Sequence, residues 1–358
     1  MTGLRRGDWW LIGGSAALTA VAAVTANTPS GQIAPFIAAG LALAVLAALV
    51  GRSVEGLGDR LGSGATGVVQ SALGNLPELL FGIFALRKGL ITVVQATLVG
   101  SILSNVLLVL GLAFIVGGLR HGSQRFPAEG PRMVSLLLVL AVGILIIPTI
   151  TSRLSLPAAA HERVLSDVAA VVLLAVFALS VPASLRRAEG GSEGGRPEGA
   201  GEASARWPLW LAVGMLAITG VAAALVSDWF ADSLTPALSA LHISQAFAGL
   251  VIVAIAGNAV ENVVGIQLAA RNRMDYALSV ILQSPAQIAL GIAPLLVLVS
   301  AGIGGTRLTL VFPPLLIVSL ALTAIIATLV VFDGISTWIE GTCLVGLYVV
   351  IAAAFWWG

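Results

Sequence analysis

Eleven stretches of this sequence stay apolar for long enough to cross a lipid bilayer, and that restricts the chain to very few folds. They are 9–26, 33–50, 65–86, 91–118, 133–150, 164–185, 209–226, 244–269, 276–301, 311–331 and 337–357. A helix needs about 20 apolar residues to span a hydrocarbon core of roughly 30 Å. Inside lipid every backbone amide must find its partner within the protein, which leaves helices and closed barrels. Barrel strands would alternate in polarity over about ten residues, and these Leu-, Ala- and Val-rich runs do not. The expected fold is therefore an all-α polytopic membrane protein of about 11 transmembrane helices. Composition agrees: only 10% of the 358 residues are charged, against about 25% in a soluble domain. The windows 91–118, 244–269 and 276–301 exceed the minimum length, so tilt, a kink or an extension into water is expected there. The first window follows Arg5 and Arg6 but has no small-residue cleavage site before a polar start, so it reads as a retained span.

Positive charges orient the spans. With the N-terminus in the cytoplasm, thirteen arginines face inward: Arg5, Arg6, Arg52, Arg60, Arg120, Arg125, Arg132, Arg186, Arg187, Arg196, Arg206, Arg271 and Arg273. Five basic residues face outward: Arg87, Lys88, Arg153, Arg163 and Arg307. The expectation is a cytoplasmic N-terminus and an external C-terminus, in what the Arg-rich, Lys-poor usage suggests is a bacterial plasma membrane. Residues 186–206 are rich in Gly, Glu and Arg and have no apolar run, which predicts a flexible cytoplasmic linker. It separates five windows in 33–185 from five in 207–358. An odd number of spans in each half inverts one half relative to the other, and 1–32 is an extra N-terminal helix and loop outside the repeat.

The halves share a word. Gly74-Asn75-Leu76-Pro77-Glu78 and Gly257-Asn258-Ala259-Val260-Glu261 both read G-N-x-x-E. A serine follows each Glu by 23 residues: Ser101, in Gly100-Ser101-Ile102-Leu103-Ser104-Asn105, and Ser284, in Gln283-Ser284-Pro285-Ala286-Gln287. A carboxylate at the centre of a membrane helix costs roughly 2.5 kcal/mol or more, so one placed there is read as functional. Two of them, in duplicated contexts, point to an ion site built from an internal repeat. Asn75 and Glu78 share a helix face, as do Asn258 and Glu261. The adjacent glycines and Pro77 free backbone carbonyls, which membrane proteins tolerate where the backbone lines a cavity. Carboxylate, amide, hydroxyl and carbonyl oxygens are what a hard cation such as calcium takes as ligands. Gly74, Gly100 and Gly257 equally suit close helix packing, and the plain reading of Ser101, Ser104 and Ser284 is a hydroxyl bonded back to its own helix.

Other polar groups fall outside this pattern. Asp228 and Asp232 are expected in a short outer loop, and Asp167, Asp275, Asp333 and Glu340 near span ends in structural roles. His121, His161 and His242 are expected in or beside loops. Trp9, Trp10, Trp207, Trp210, Trp229, Trp338, Trp356 and Trp357 lie near span ends, as an aromatic belt requires. Cys343 has no partner for an intrachain disulfide and is expected to be a buried small hydrophobe. A net charge of +1 without a basic patch argues against a nucleic-acid partner. No nucleophile elbow, paired-His metal motif or phosphate loop marks an enzyme.

The strings GNLPELLFGIFALRKG, ATLVGSILSNVLLVLG, AIAGNAVENVVGIQLAARNRMD and QSPAQIAL resemble the calcium/cation antiporter superfamily and, within it, the calcium/proton exchanger branch. The resemblance implies two inverted five-helix halves meeting at a midplane site that takes Ca²⁺ or protons in turn. Carried over residue by residue, it makes Glu78 and Glu261 the proton- and cation-coupling carboxylates. Asn75, Ser101, Ser104 and Asn105 become contributors from the first repeat, and Asn258, Ser284 and Gln287 from the second. Ca²⁺ and H⁺ are then transported ions, and no resident cofactor is implied. The chain departs from the branch pattern at Asn262, where a His is common, and at Gln283 and Pro285. Sodium/calcium exchangers of the superfamily carry an Asp after the second-repeat Ser, but here no acid lies between Asp275 and Asp333. That favours protons as the driving ion over sodium. A sodium-coupled exchanger and a cation channel are the competing readings.

Overall fold

The computed structural model describes residues 6–190 and 207–357, without the side chains of 55–74, 181–190, 209, 260 and 261. The described chain is helical apart from short connections. Helices α1 (Arg6–Asn27), α2 (Ala34–Gly74) and α3 (Leu76–Arg87) are followed by α4 (Ile91–Leu103), which continues through a π-helical turn (Ser104–Val109) into α5 (Leu110–His121). A two-residue strand β1 (Gln124–Arg125) precedes α6 (Glu129–Arg153) and α7 (Glu162–Gly190). Then come α8 (Leu209–Leu241) and the short α9 (Gln245–Phe247), with a π turn (Ala248–Val253) leading into α10 (Ala254–Gly257) and then α11 (Ala259–Ala270). Helix α12 (Met274–Gln287) passes through a third π turn (Ile288–Ile292) into α13 (Ala293–Ser300), and α14 (Pro314–Val330), β2 (Ile335–Ser336) and α15 (Trp338–Trp356) complete the chain.

Among the described residues, eight helices are long and apolar enough to cross a membrane. The count is nine if Gln245–Gly257 and Asn262–Ala270, bent by 62°, form one broken span. All eleven windows fall on helix, but not always on separate helices. Helix α2 runs unbroken through the polar gap between the second and third windows. No proline lies between Pro35 and Pro77, and polar side chains alone do not interrupt an amide ladder. At about 1.5 Å per residue, the 41 residues of α2 are roughly twice as long as a hydrocarbon core is thick.

Four other expectations need correction. Asp228 and Asp232 lie inside α8 and not in a loop, because that helix continues past the apolar window to Leu241. Helix α7 reaches Gly190, into the start of the 186–206 linker, whose remainder lies outside the described residues. Trp207 is no belt residue: it is buried, and its indole N–H donates to Asp8 Oδ2 at 3.1 Å. Cys343 is exposed on α15, where one face looks away from the protein.

The fold contains two compact units, each drawing on both halves of the sequence: 1–84 with 175–237, and 85–174 with 238–358. In the first, Trp207 packs with Leu49 and Ala212 against Leu11 and Ile12 of α1. Arg52 pairs with Asp8 at 2.8 Å there and lies over the Trp207 ring, so the extra helix is pinned to α2 by a charge pair as well as by apolar contact. In the second unit the core is formed by the helices through the first and third π turns. Their apolar windows are 78% and 83% buried, against 11% for α1. Glycines permit this density: a Cβ on Gly100 would lie 2.3 Å from the Leu250 carbonyl oxygen, and one on Gly341 2.5 Å from that of Gly111.

The connections of the second unit gather at two ends. At one, β1 pairs antiparallel with β2, Gln124↔Ser336. There Gln124 Nε2 donates to Ala269 O (3.2 Å) and Asn272 Oδ1 (2.8 Å), and His121 approaches Ala270 O. At the other, the segment 305–313 lies against Leu86 and Arg87 and is held by side chains of α4, α6 and α7. Gln95 donates to Val311 O, Thr149 to Leu310 O and Thr309 to Glu162, while Arg307 pairs with Asp167.

Candidate functional site

Each G-N-x-x-E word sits at a helix break. Helix α2 ends at Gly74 and α10 at Gly257; Asn75 and Asn258 are the breaks; α3 and α11 begin at the next residue. Glu78 and Glu261 are therefore each the third residue of a new helix. An N-terminal first turn is where exposed backbone N–H groups and the helix dipole favour negative charge. Pro77, in the first turn of α3, is compatible with a helix start but not with continuation from α2.

The correspondence extends beyond the words at the constant offset of 183 that separates Glu78 from Glu261. Leu79 N–H donates to Asn75 O at 3.1 Å, and Asn262 N–H to Asn258 O at 3.0 Å. Helices α3 and α11 end at Arg87 and Ala270, and α4 and α12 begin at Ile91 and Met274. The turns between them use positive φ at equivalent places, 76° at Gly89 and 58° at Asn272. The π turns then cover 104–109 and 288–292. Each has a local cause. In the first, Asn105 Nδ2 and Ser104 Oγ both donate to Ser101 O, at 2.9 and 3.3 Å, diverting a carbonyl from the α-ladder. In the second, Pro285 removes a ladder N–H. Single π turns inside α-helices recur at functional sites.

The predicted residues are placed as follows. Asn75 and Glu78 are buried, 3% and 9% exposed, in the first unit. Glu261 lies in the first turn of α11, and its side chain is outside the described residues. Three of the others meet in the second unit. Asn258 Nδ2 donates to Ser101 Oγ at 3.1 Å, and Ser284 Oγ donates to Asn258 Oδ1 at 3.1 Å. One amide thus joins the serines of both repeats while its own N–H₂ also reaches Ala254 O across the helix break. Ser104 and Asn105 are fully buried on the same helix as Ser101, and Asn105 Oδ1 has no hydrogen-bond partner among the described residues. Gln287 is half-buried at the end of α12. Ser104 does bond back to its own helix, as the plain reading had it, whereas Ser284 reaches across to Asn258.

Sequence reasoning did not single out Thr97 or Asn262 as site residues. Both are buried, and Thr97 Oγ1 and Asn262 Oδ1 have no hydrogen-bond partner among the described residues. The available signal was spacing: Thr97 precedes Ser101 by one turn, and Asn262 follows Asn258 by one turn. Asp333, Glu340 and Asp167 are structural: Asp333 closes a turn onto Ile335 N–H, Glu340 completes a capping box with Thr337, and Asp167 holds Arg307.

Buried oxygens gathered at interrupted membrane helices, in two equivalent segments of one chain, are the build of a secondary cation transporter. Comparison with known proteins defines the group further. The chain belongs to the sodium/calcium exchanger protein family, whose model matches residues 32–186 and 211–357, and it lies in the calcium/proton exchanger branch of that superfamily. It is similar to the Ca²⁺/H⁺ antiporter of Aphanothece halophytica, 34% identical over 337 residues and covering 90% of either chain. The Ca²⁺/H⁺ antiporter of a Synechocystis species is 34% identical over 343 residues, covering 91% of each. Among solved structures, native YfkE superposes with a TM-score of 0.79 at 29% identity, over 97% of this chain and 99% of that one.

Proposed function

We propose that the chain is a secondary active antiporter that exchanges Ca²⁺ for H⁺ by alternating access at a midplane site built on Glu78 and Glu261. The observation that carries the reading is the Asn258 amide joining Ser101 and Ser284, which brings oxygens from both repeats to one place. The names of the relatives supply the ions. Two inverted halves, 33–185 and 207–358, are the architecture we assign. The equivalence of breaks and π turns at constant offset supports it.

The chemistry is competition. A carboxylate removed from water is costly when bare, so it holds either a proton or a cation. Two carboxylates balance one Ca²⁺ or two protons, and the empty dianionic site does not cross, which enforces exchange. Asn75, Asn105, Asn258, Ser101, Ser104, Ser284 and Gln287 complete a hard oxygen shell. The halves rock about the fixed site to expose it to either side.

The test is Ca²⁺ uptake by the purified protein in proteoliposomes under an imposed pH gradient, with and without sodium. A pH gradient alone is expected to drive uptake, and Glu78→Gln and Glu261→Gln to reduce it to background with protein levels retained. Uptake that requires sodium would assign the chain to sodium-coupled exchange. Conductance far above carrier turnover would make it a channel, and a Gln variant with normal flux would remove that Glu from the site.

A further inference from the structure

Asn262 is an amide on the motif helix that the site as described does not use. It directly follows Glu261 and lies one turn beyond Asn258, on the same face of α11. That face, at 258, 262, 265 and 269, is buried, while 263, 264 and 267 are exposed. It packs along α12 at two points. Asn258 Oδ1 accepts from Ser284 Oγ at 3.1 Å, and a Cβ on Gly265 would lie 2.6 Å from Ile281 Cγ1. Asn262 sits between those contacts along the helix. It is 9% exposed, and its Oδ1 is buried with no hydrogen-bond partner among the described residues. Such an atom costs about 1–3 kcal/mol, and native structures hold few of them. An apolar side chain would incur no such cost on this seam, so packing gives no reason for the amide.

We infer that Asn262 supplies a neutral oxygen ligand to the divalent cation held beside Asn258 and thereby sets the affinity of the site for that cation. The inference rests on the cation-exchange reading above. An amide oxygen is a hard donor of the kind calcium accepts. Unlike a carboxylate it takes up no proton at neutral pH. It therefore stabilises the cation-loaded site without stabilising the proton-loaded one, which is what distinguishes a selectivity ligand from a coupling carboxylate.

The experiment is equilibrium binding of calcium to the purified full-length chain in detergent, paired with pH-driven uptake in proteoliposomes. Asn262→Leu is expected to weaken calcium binding about tenfold, the loss of one interaction with a charged group. Asn262→Asp, which restores an oxygen and adds charge, is expected to bind calcium at least as tightly as the parent. Unchanged affinity in Asn262→Leu overturns the inference, and so does Asn262→Asp binding as weakly as Asn262→Leu, the mark of a purely structural role. If Asn262→Leu fails to fold, Asn262→Asp decides alone: binding as tight as the parent or tighter supports the inference, and weaker binding overturns it. A parent that binds no calcium overturns the exchange reading and this inference with it. Loss of flux in Glu78→Gln beside unchanged affinity in Asn262→Leu leaves the exchange reading standing and overturns only the inference.

Discussion

Asn258 is the residue on which most of the site geometry converges. It closes the break between α10 and α11, donates to Ser101 and accepts from Ser284. Asn258→Ala removes its bonds to Ser101 and Ser284, at about 1–3 kcal/mol for a buried hydrogen bond that is not replaced. The expected outcome is at least a tenfold fall in the initial rate of pH-driven Ca²⁺ uptake, with the protein still folded in detergent. A parental rate in Asn258→Ala would show that the bridge is incidental to transport. The words themselves were legible in the sequence, because a Glu in an apolar run is costly and its repetition at a fixed offset has no packing explanation. The bridge was not legible. Spacing says that Asn258 and Glu261 share a face, but not that one amide spans two serines 157 and 26 residues away. Trp207 shows the same limit from the other side: proximity to a span end suggested an interfacial anchor, and only the fold reveals the buried Asp8 that holds it.

At the level of the element, apolar windows predicted where helix would form but not how helices would be interrupted or joined. Pro77 announced one break, yet the second occurs at Asn258 without a proline. The continuity of α2 escaped prediction because charge marks a membrane boundary while leaving the amide ladder intact. The π turns at 104–109 and 288–292 depend on a carbonyl diverted by Asn105 and an N–H missing at Pro285, which apolar periodicity does not register. Close helix contact is likewise selective among glycines. On α15, a Cβ at Gly341 would meet Gly111 O at 2.5 Å and Ile115 N at 2.9 Å, whereas Gly346 has nothing within 4 Å. Gly341→Ala is expected to destabilise the protein by about 1–3 kcal/mol, since backbone cannot yield as a side-chain tip does. Gly346→Ala is expected to be neutral or slightly stabilising, by up to about 1 kcal/mol, from helix propensity alone. Thermal unfolding in detergent checks both, and equal midpoints for the two variants would mean that α5 and α15 do not approach as described.

For the whole molecule, the positive charges and the gathering of connections make a joint prediction. Within the second unit, Arg120, Arg125, Arg132, Arg271 and Arg273 belong to the connections at the β1–β2 end, and Arg87, Lys88, Arg153, Arg163 and Arg307 to those at the end of the 305–313 segment. These residues were assigned by sequence alone to opposite sides of the membrane, so the packing of this unit divides its connections as that assignment does. Within this unit the two sets are equal at five each, so the absolute direction comes from the whole sequence, where thirteen basic residues against five predict that the side of Arg120 and Arg271 faces the cytoplasm. Ser123 and Ser155 are exposed in connections of the two different ends, and each accepts a cysteine without a change of backbone preference. In a Cys343→Ser background, needed because the native thiol is exposed, a membrane-impermeant maleimide added to intact cells is expected to label Ser155→Cys and not Ser123→Cys. Both become labelled once the membrane is opened. The reverse pattern would turn the protein over in the membrane and leave the repeat relationship intact. Labelling of both from outside would be more serious, because the α6 span separates the two sites. It would remove α6 as a crossing helix, change the parity of the first half, and with it end the inverted pairing on which alternating access at a shared site depends.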